Sequence, residues 1–307
     1  MSFVCQRAIA VLLLISSFAM PVAAEPFEDA AAAYAKGDYA TALQLFRPLA
    51  DQGMAKAQAI IGVMYANGQG VPKSDTEAMK WYQLAAGQGD AGAQTALGVI
   101  YANGLGVQKD PEKGLEWFRK AADQGYANAQ NNLGAMYDRG EGVAQDYAEA
   151  IKWYRLAADQ GYANAQSSLA NMYLNGRGVP QDYGEAVKWS RLAADQGFAP
   201  AQYNLAFVYA NGLGVPQNYA EAVKWSGLAA DQGYATAQYY LGIAYANGQG
   251  VPQDYVQAYK WFELSAVHGY KEAMQTRQIA AERMTNEQIA EAQKRAREWK
   301  PTRQPAR

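Results

Sequence analysis

Tryptophan recurs at Trp81, Trp117, Trp153, Trp189, Trp225 and Trp261, and every interval is 36 residues. Tyr65, Tyr101, Tyr137, Tyr173, Tyr209 and Tyr245 keep the same step, as do the glycines from Gly53 to Gly269. A strict period of this length marks one supersecondary unit copied along the chain. Such a unit is too small to bury its own apolar face, so its copies have to stack. Six units follow: 55–90, 91–126, 127–162, 163–198, 199–234 and 235–270.

Each unit reads as two helices. In "AKAQAIIGVMYAN", Ala57, Ile61, Met64 and Tyr65 fall at i, i+4, i+7 and i+8, one face of a helix. Gly62 lies on that face, and its counterparts Gly98, Gly134, Ala170, Ala206 and Gly242 are all small. In "TEAMKWYQLAAGQ", Ala78, Trp81 and Ala85 share a second face. Large rings set against Ala and Gly let neighbouring helices interlock. The expected fold class is all-α: a right-handed α-solenoid of stacked antiparallel helix pairs.

The connection "YANGQGVPKSD" has the look of a phosphate loop, with Gly68, Gly70, Lys73 and Ser74 close together. A phosphate loop follows a strand, whereas a helix precedes this segment. Later copies such as "GEGVAQD" and "GRGVPQD" keep the glycines and lose the Lys-Ser pair. The segment therefore reads as a turn. Gly68 and Gly70 end one helix, Pro72 holds Val71 extended, and Ser74 with Glu77 starts the next. Asp146 with Glu149, Asp182 with Glu185, Asn218 with Glu221 and Asp254 with Gln257 repeat the start signal, which assigns those glutamates to capping. The second helix closes on a glycine followed by an apolar residue, as in Gly125-Tyr126; Asp90 fits the second role poorly.

Residues 25–54 read as an opening helix pair with Leu45 and Phe46 near the tryptophan register. Residues 271–299 read as capping helices, with Thr285 and Gln288 as a capping box, and 300–307 as a flexible tail. Residues 1–24 have the form of an export signal: Arg7, then the 13-residue apolar run Ala8 to Met20, then small residues before Glu25. The reading that goes with it is a periplasmic protein, or alternatively a secreted one, with no membrane span in the mature chain. Cys5, the sole cysteine, leaves with the signal. With 50% apolar and 18% charged residues the chain is a folded protein, and a net charge of −2 argues against general nucleic-acid binding.

The A-x-Q, L-G-x-x-Y, G-x-G-V, A-x-x-W and A-A-x-x-G blocks, seen together in Ala129 to Gln166, resemble the Sel-one-like repeat, a relative of the tetratricopeptide repeat. The resemblance covers 55–270, with the opening pair closer to a tetratricopeptide unit. It implies a scaffold or adaptor that binds a protein or peptide, and for exported bacterial members it implies envelope roles, among them regulation through a partner's extracytoplasmic domain. Relatives proposed to bind cell-wall precursors carry cysteine pairs that this chain lacks.

No catalytic or cofactor-binding set emerges. His268 is the only histidine and stands where Gln196 and Gln232 stand in earlier units, at a helix C-terminus where the dipole favours a cation. A mature chain with one His and no Cys offers neither a nucleophile–base pair nor a metal set. Specificity is then expected where units differ. One stripe of the first helices varies through Asn131 and Asn132, Ser167 and Asn171, Tyr203, Asn204 and Phe207, then Tyr239, Tyr240 and Ile243. Read as a groove, it offers polar clamps in units three and four and an aromatic patch in units five and six. The other reading is that Phe207 and Ile243 pack between units. Carbohydrate or peptidoglycan-fragment binding through exposed tyrosines is the alternative function, and hydrolysis a third. The C-terminal 271–307, with nine Lys/Arg against five Glu, is a candidate for cell-wall or lipid contact.

Overall fold

The structure, a computed structural model, describes residues 24–302. The expected export signal, Cys5 and residues 303–307 lie outside the described residues, apart from Ala24, where the first helix begins. Among the described residues there are sixteen α-helices and no strand, so the chain is an all-α stack of helix pairs. It divides into two compact units, Met1–Leu84 and Ala85–Arg307.

The first unit contains α1 (Ala24–Ala35), α2 (Tyr39–Asp51), α3 (Ala55–Asn67) and the part of α4 (Asp75–Gly87) up to Leu84. Phe46, Ile61, Met64 and Trp81 form its core, and Phe27 meets Phe46 edge-on at 5.5 Å. Of the two residues near the tryptophan register in α2, Phe46 is buried and Leu45 is exposed. Gly68 ends α3 at φ 70° with its N–H on Met64 O. Ser74 Oγ caps α4 through the Glu77 N–H at 3.2 Å.

The second unit holds the remaining helices: α5 (Ala91–Asn103), α6 (Pro111–Ala122), α7 (Ala127–Arg139), α8 (Tyr147–Asp159), α9 (Ala163–Asn175), α10 (Tyr183–Asp195), α11 (Ala199–Asn211), α12 (Tyr219–Asp231), α13 (Ala235–Asn247), α14 (Tyr255–Val267), α15 (Glu272–Ala281) and α16 (Asn286–Glu298). From α5 to α14 consecutive helices pack as pairs and each pair packs on the next, while α15 and α16 both pack on α14. Gly125 donates to Ala122 O and Tyr126 to Ala121 O, the double bond of a Schellman close. Asp90 has a different use: its carboxylate accepts the Ala93 N–H at 2.8 Å and caps α5.

Two expectations about the turns need correction. The glutamates do not cap. The N–H that a capping glutamate would take is already bonded to the register tyrosine carbonyl, as in Asp146 N–H to Tyr137 O at 3.0 Å and Asp182 N–H to Tyr173 O at 3.1 Å. The glutamates turn outward to lysine instead, Glu149 to Lys152 and Glu185 to Lys188 at 3.1 Å each. Among the described residues, both halves of the capping box are made only at Thr285 and Gln288. The second glycine of each G-x-G, moreover, does not end the helix. Gly178 sits at φ 69°, and a Cβ there would lie 2.6 Å from Cβ of Tyr147, the first residue of the preceding unit's second helix. This glycine lets the turn lie directly on the unit before it.

A polar ladder that the sequence reading assigned no role runs through the buried interior. Gln130, Gln166 and Gln202 each donate to a carbonyl eight residues back, on Ala122, Ala158 and Ala194. Their oxygens accept from Gln160, Gln196 and Gln232 of the same repeats' closing turns, at 2.7–2.8 Å. Each such glutamine thus adds a second hydrogen bond to a carbonyl of one helix pair while holding the end of the next. Trp299 closes the second unit against Trp261 and His268, and the expected tail begins docked, with Thr302 N–H on Asp231 O at 2.9 Å.

Candidate functional site

His268 takes the ladder position of the earlier glutamines, with Nδ1 2.8 Å from Gln238 Oε1. Because Gln238 spends its amide N–H on Ala230 O, that oxygen faces the ring and Nδ1 carries the hydrogen. Burial lowers the His268 pKa from its usual 6.5, so the ring is held neutral. This corrects the expected interaction of a cation with the helix dipole. Among the described residues no three His, Cys, Asp or Glu side chains gather as metal ligands, and no helix is long and apolar enough to cross a membrane.

What distinguishes one part of the stack from another is a ring. Gly98 of α5 lies against Phe118 of α6 so closely that a Cβ would be 2.6 Å from the ring. Gly62 and Tyr82, Gly134 and Tyr154, and Gly242 and Phe262 repeat the pairing at 2.6–2.9 Å. Units four and five abandon it. There the small residues are Ala170 and Ala206, and the ring positions hold Ser190 and Ser226, all four buried. The second helix of these two units supplies no ring to the space before it.

Two grooves open in those units, one repeat apart. The first lies between α11, α12 and α13; its walls include Tyr203, Ala206, Phe207, Ala222, Ser226, Tyr240 and Ile243. The second lies one unit earlier and is more polar, with Asn171, Asn175, Gln181, Tyr183 and Asn204 around the shared Tyr203 and Phe207. Tyr203 stands 5.5 Å from Tyr240 and 5.7 Å from Tyr234. Burial, with these phenols beside it, raises the Tyr203 pKa well above the usual tyrosine value, so its hydroxyl stays a neutral donor. No charged side chain lines either groove among the described residues.

The structure distributes the ten residues of the varying stripe unevenly. Tyr203, Phe207, Tyr240 and Ile243 meet in the first groove, and Asn171 and Asn204 join Tyr203 and Phe207 in the second. Phe207 is 37% and Tyr240 41% exposed. Asn204 is buried and donates to Asn171 Oδ1 at 3.0 Å, so these two amides clamp each other. Ser167 is buried, Asn132 is bonded to Asn128, and neither lines a groove. Asn131 lies outside both grooves with its side-chain oxygen buried. Tyr239 turns to Phe262 and Tyr270, at 5.7 and 4.8 Å. Ile243 packs partly on the core around Phe262 while also reaching the groove.

Sequence reasoning missed the floor and far wall of the first groove, Ala222, Val223, Ser226 and Tyr219, because it looked only at first helices. A signal was present: Ser190 and Ser226 stand where the other units have Tyr82, Phe118, Tyr154 and Phe262.

The Sel1 repeat matches residues 32–54, 55–90, 91–126, 127–162, 163–198, 199–234 and 235–270, so it reaches back into the opening pair. Among solved structures, the chain is similar to a protective antigen present in uropathogenic Escherichia coli strains displaying an SLR fold, at 34% identity and TM-score 0.83 over 89% of this chain. The chain spans 60% of that protein's length. It is similar also to a Sel1 repeat protein from Oxalobacter formigenes, at 33% identity and TM-score 0.74, covering 79% of this chain and 97% of the other. No curated protein matches the sequence.

Proposed function

The chain belongs to the Sel1 repeat family, and from that membership we propose that it is a non-catalytic scaffold that holds a protein partner on the face built by α11, α12 and α13. One observation carries this reading. The side chains that recur in every unit are consumed in holding the stack, whereas the residues that change from unit to unit gather two uncharged grooves around Phe207. Aromatic side chains that are partly exposed and braced by one another are the usual anchors of a binding surface, since they bury area at little cost in side-chain freedom.

The segment 1–24, with its short apolar run, supports a place outside the cytoplasm, and the periplasm of a bacterial envelope is the compartment we propose. The partner on this reading is the extracytoplasmic domain of an envelope protein, held non-covalently. Affinity capture from envelope extract with cross-linking tests both parts. A stoichiometric partner whose cross-links map to α11–α13, and whose capture falls when Phe207 and Tyr240 are both replaced by alanine, is the expected result. Capture unaffected by these substitutions, or retention only on cell-wall sugar, refutes it.

A further inference from the structure

We infer that the groove between α11, α12 and α13 is the receptor for a single aromatic side chain, Phe or Tyr, presented by a peptide segment of the partner. The inference rests on the proposed scaffold role and narrows it to a chemistry. Four units fill the equivalent region from within, by a ring of their own second helix laid on a glycine. In unit five Ser226 supplies no ring, and Ala206 replaces the glycine. The region left open is therefore one that this fold otherwise closes with an aromatic side chain.

The chemistry of the walls agrees with the same occupant. Ala206, Ala222, Val223 and Ile243 give an apolar interior, and the Tyr203, Phe207 and Tyr240 rings stand around it. Rings so placed favour a further ring, edge-on or offset. The absence of charged side chains from the lining disfavours an acidic or basic occupant, which would lose its hydration without gaining a partner. The adjoining groove at Asn171, Asn175 and Gln181 is more polar, and it suits the backbone of the segment that carries the ring.

The repeats themselves supply the decisive variant. The double substitution Ala206→Gly with Ser226→Phe restores the pairing of the other four units and fills the groove with the protein's own ring. It leaves Tyr203, Phe207 and Tyr240 in place. A random linear-peptide phage library panned on the full chain is the probe. The expected outcome is enrichment of peptides that share one Phe or Tyr. Their affinity falls at least about ten-fold when that residue becomes alanine, and by a similar factor on the double variant, as burial of one ring implies. The peptide substitution reads the same contact on the unaltered protein, should the double variant fail to fold. Enrichment without an aromatic position, no enrichment over the filled variant, or affinity unchanged by either substitution overturns the inference. Peptides lost on Phe207→Ala but retained on the double variant would leave the scaffold face standing and remove only the ring pocket.

Discussion

Gln196 donates its side-chain amide to Oε1 of Gln166 at 2.8 Å, thirty residues back along the chain. Gln166, buried, passes its own amide to Ala158 O at 3.1 Å. Replacing Gln166 by alanine removes one of two hydrogen bonds to Ala158 O, which keeps the Gly161 N–H at 2.9 Å; it also takes an acceptor from Gln196 and leaves a void. The expected loss is about 2–3 kcal/mol, read as a lower urea midpoint. Gln196→Ala, at the exposed end of the same bond, is expected to cost about 1 kcal/mol or less. Equal losses at the two positions would show that the ladder does not act through its buried member.

The two glycine classes separate backbone strain from crowding. Gly161 and Gly178 both have positive φ, 85° and 69°, but an added Cβ meets nothing within 4 Å at Gly161 and Tyr147 Cβ at 2.6 Å at Gly178. Gly161→Ala carries the left-handed penalty alone, about 1–2 kcal/mol. Gly178→Ala adds a steric clash, and we expect a total of about 3 kcal/mol or more. Thermal melts of the two variants, compared directly, check the order; a smaller effect at Gly178 would deny that the turn rests on the preceding unit.

The capping correction has a consequence at unit three. Asp146 Oδ1 accepts from both Ala148 and Glu149 N–H groups, whereas the Glu149 side chain meets only Lys152 at the surface. Asp146→Ala is expected to cost about 1 kcal/mol, and Glu149→Gln about 0.5 kcal/mol or less. Denaturant titrations in which Glu149→Gln proved the costlier change would restore the glutamate to the cap.

His268 gives the fold a pH response of known sign. Its folded-state pKa lies below the usual 6.5, so the fold favours the neutral ring. The contribution is complete above 6.5 and is lost as pH falls through the folded value, because the unfolded chain takes up the proton first. The melting midpoint should therefore drop between neutral and about pH 5. Substituting His268→Gln, the residue of earlier units, should flatten that drop. A midpoint that rises on acidification would contradict the neutral assignment.

How much of this was legible in the sequence follows from the range of each interaction. Helix pairs, their caps at Ser74 and Asp182, the αL close at Gly68 and the Schellman close at Gly125 are made within six residues, so spacing alone announced them. The thirty-six-residue period added that such pairs must stack, because one pair cannot cover its own apolar face. Tertiary structure decided the rest. It chose Phe46 over Leu45 for burial, locked Asn204 to Asn171 across 33 residues, and joined Gln196 to Gln166. It also made an inconspicuous serine, Ser226, part of a groove wall, while Ser190, where the ring register lapses too, stays buried outside both grooves. A missing side chain is invisible to periodicity, since it acts only through the space its neighbours leave; only the packing of α11, α12 and α13 shows whether that space closes or remains for another molecule.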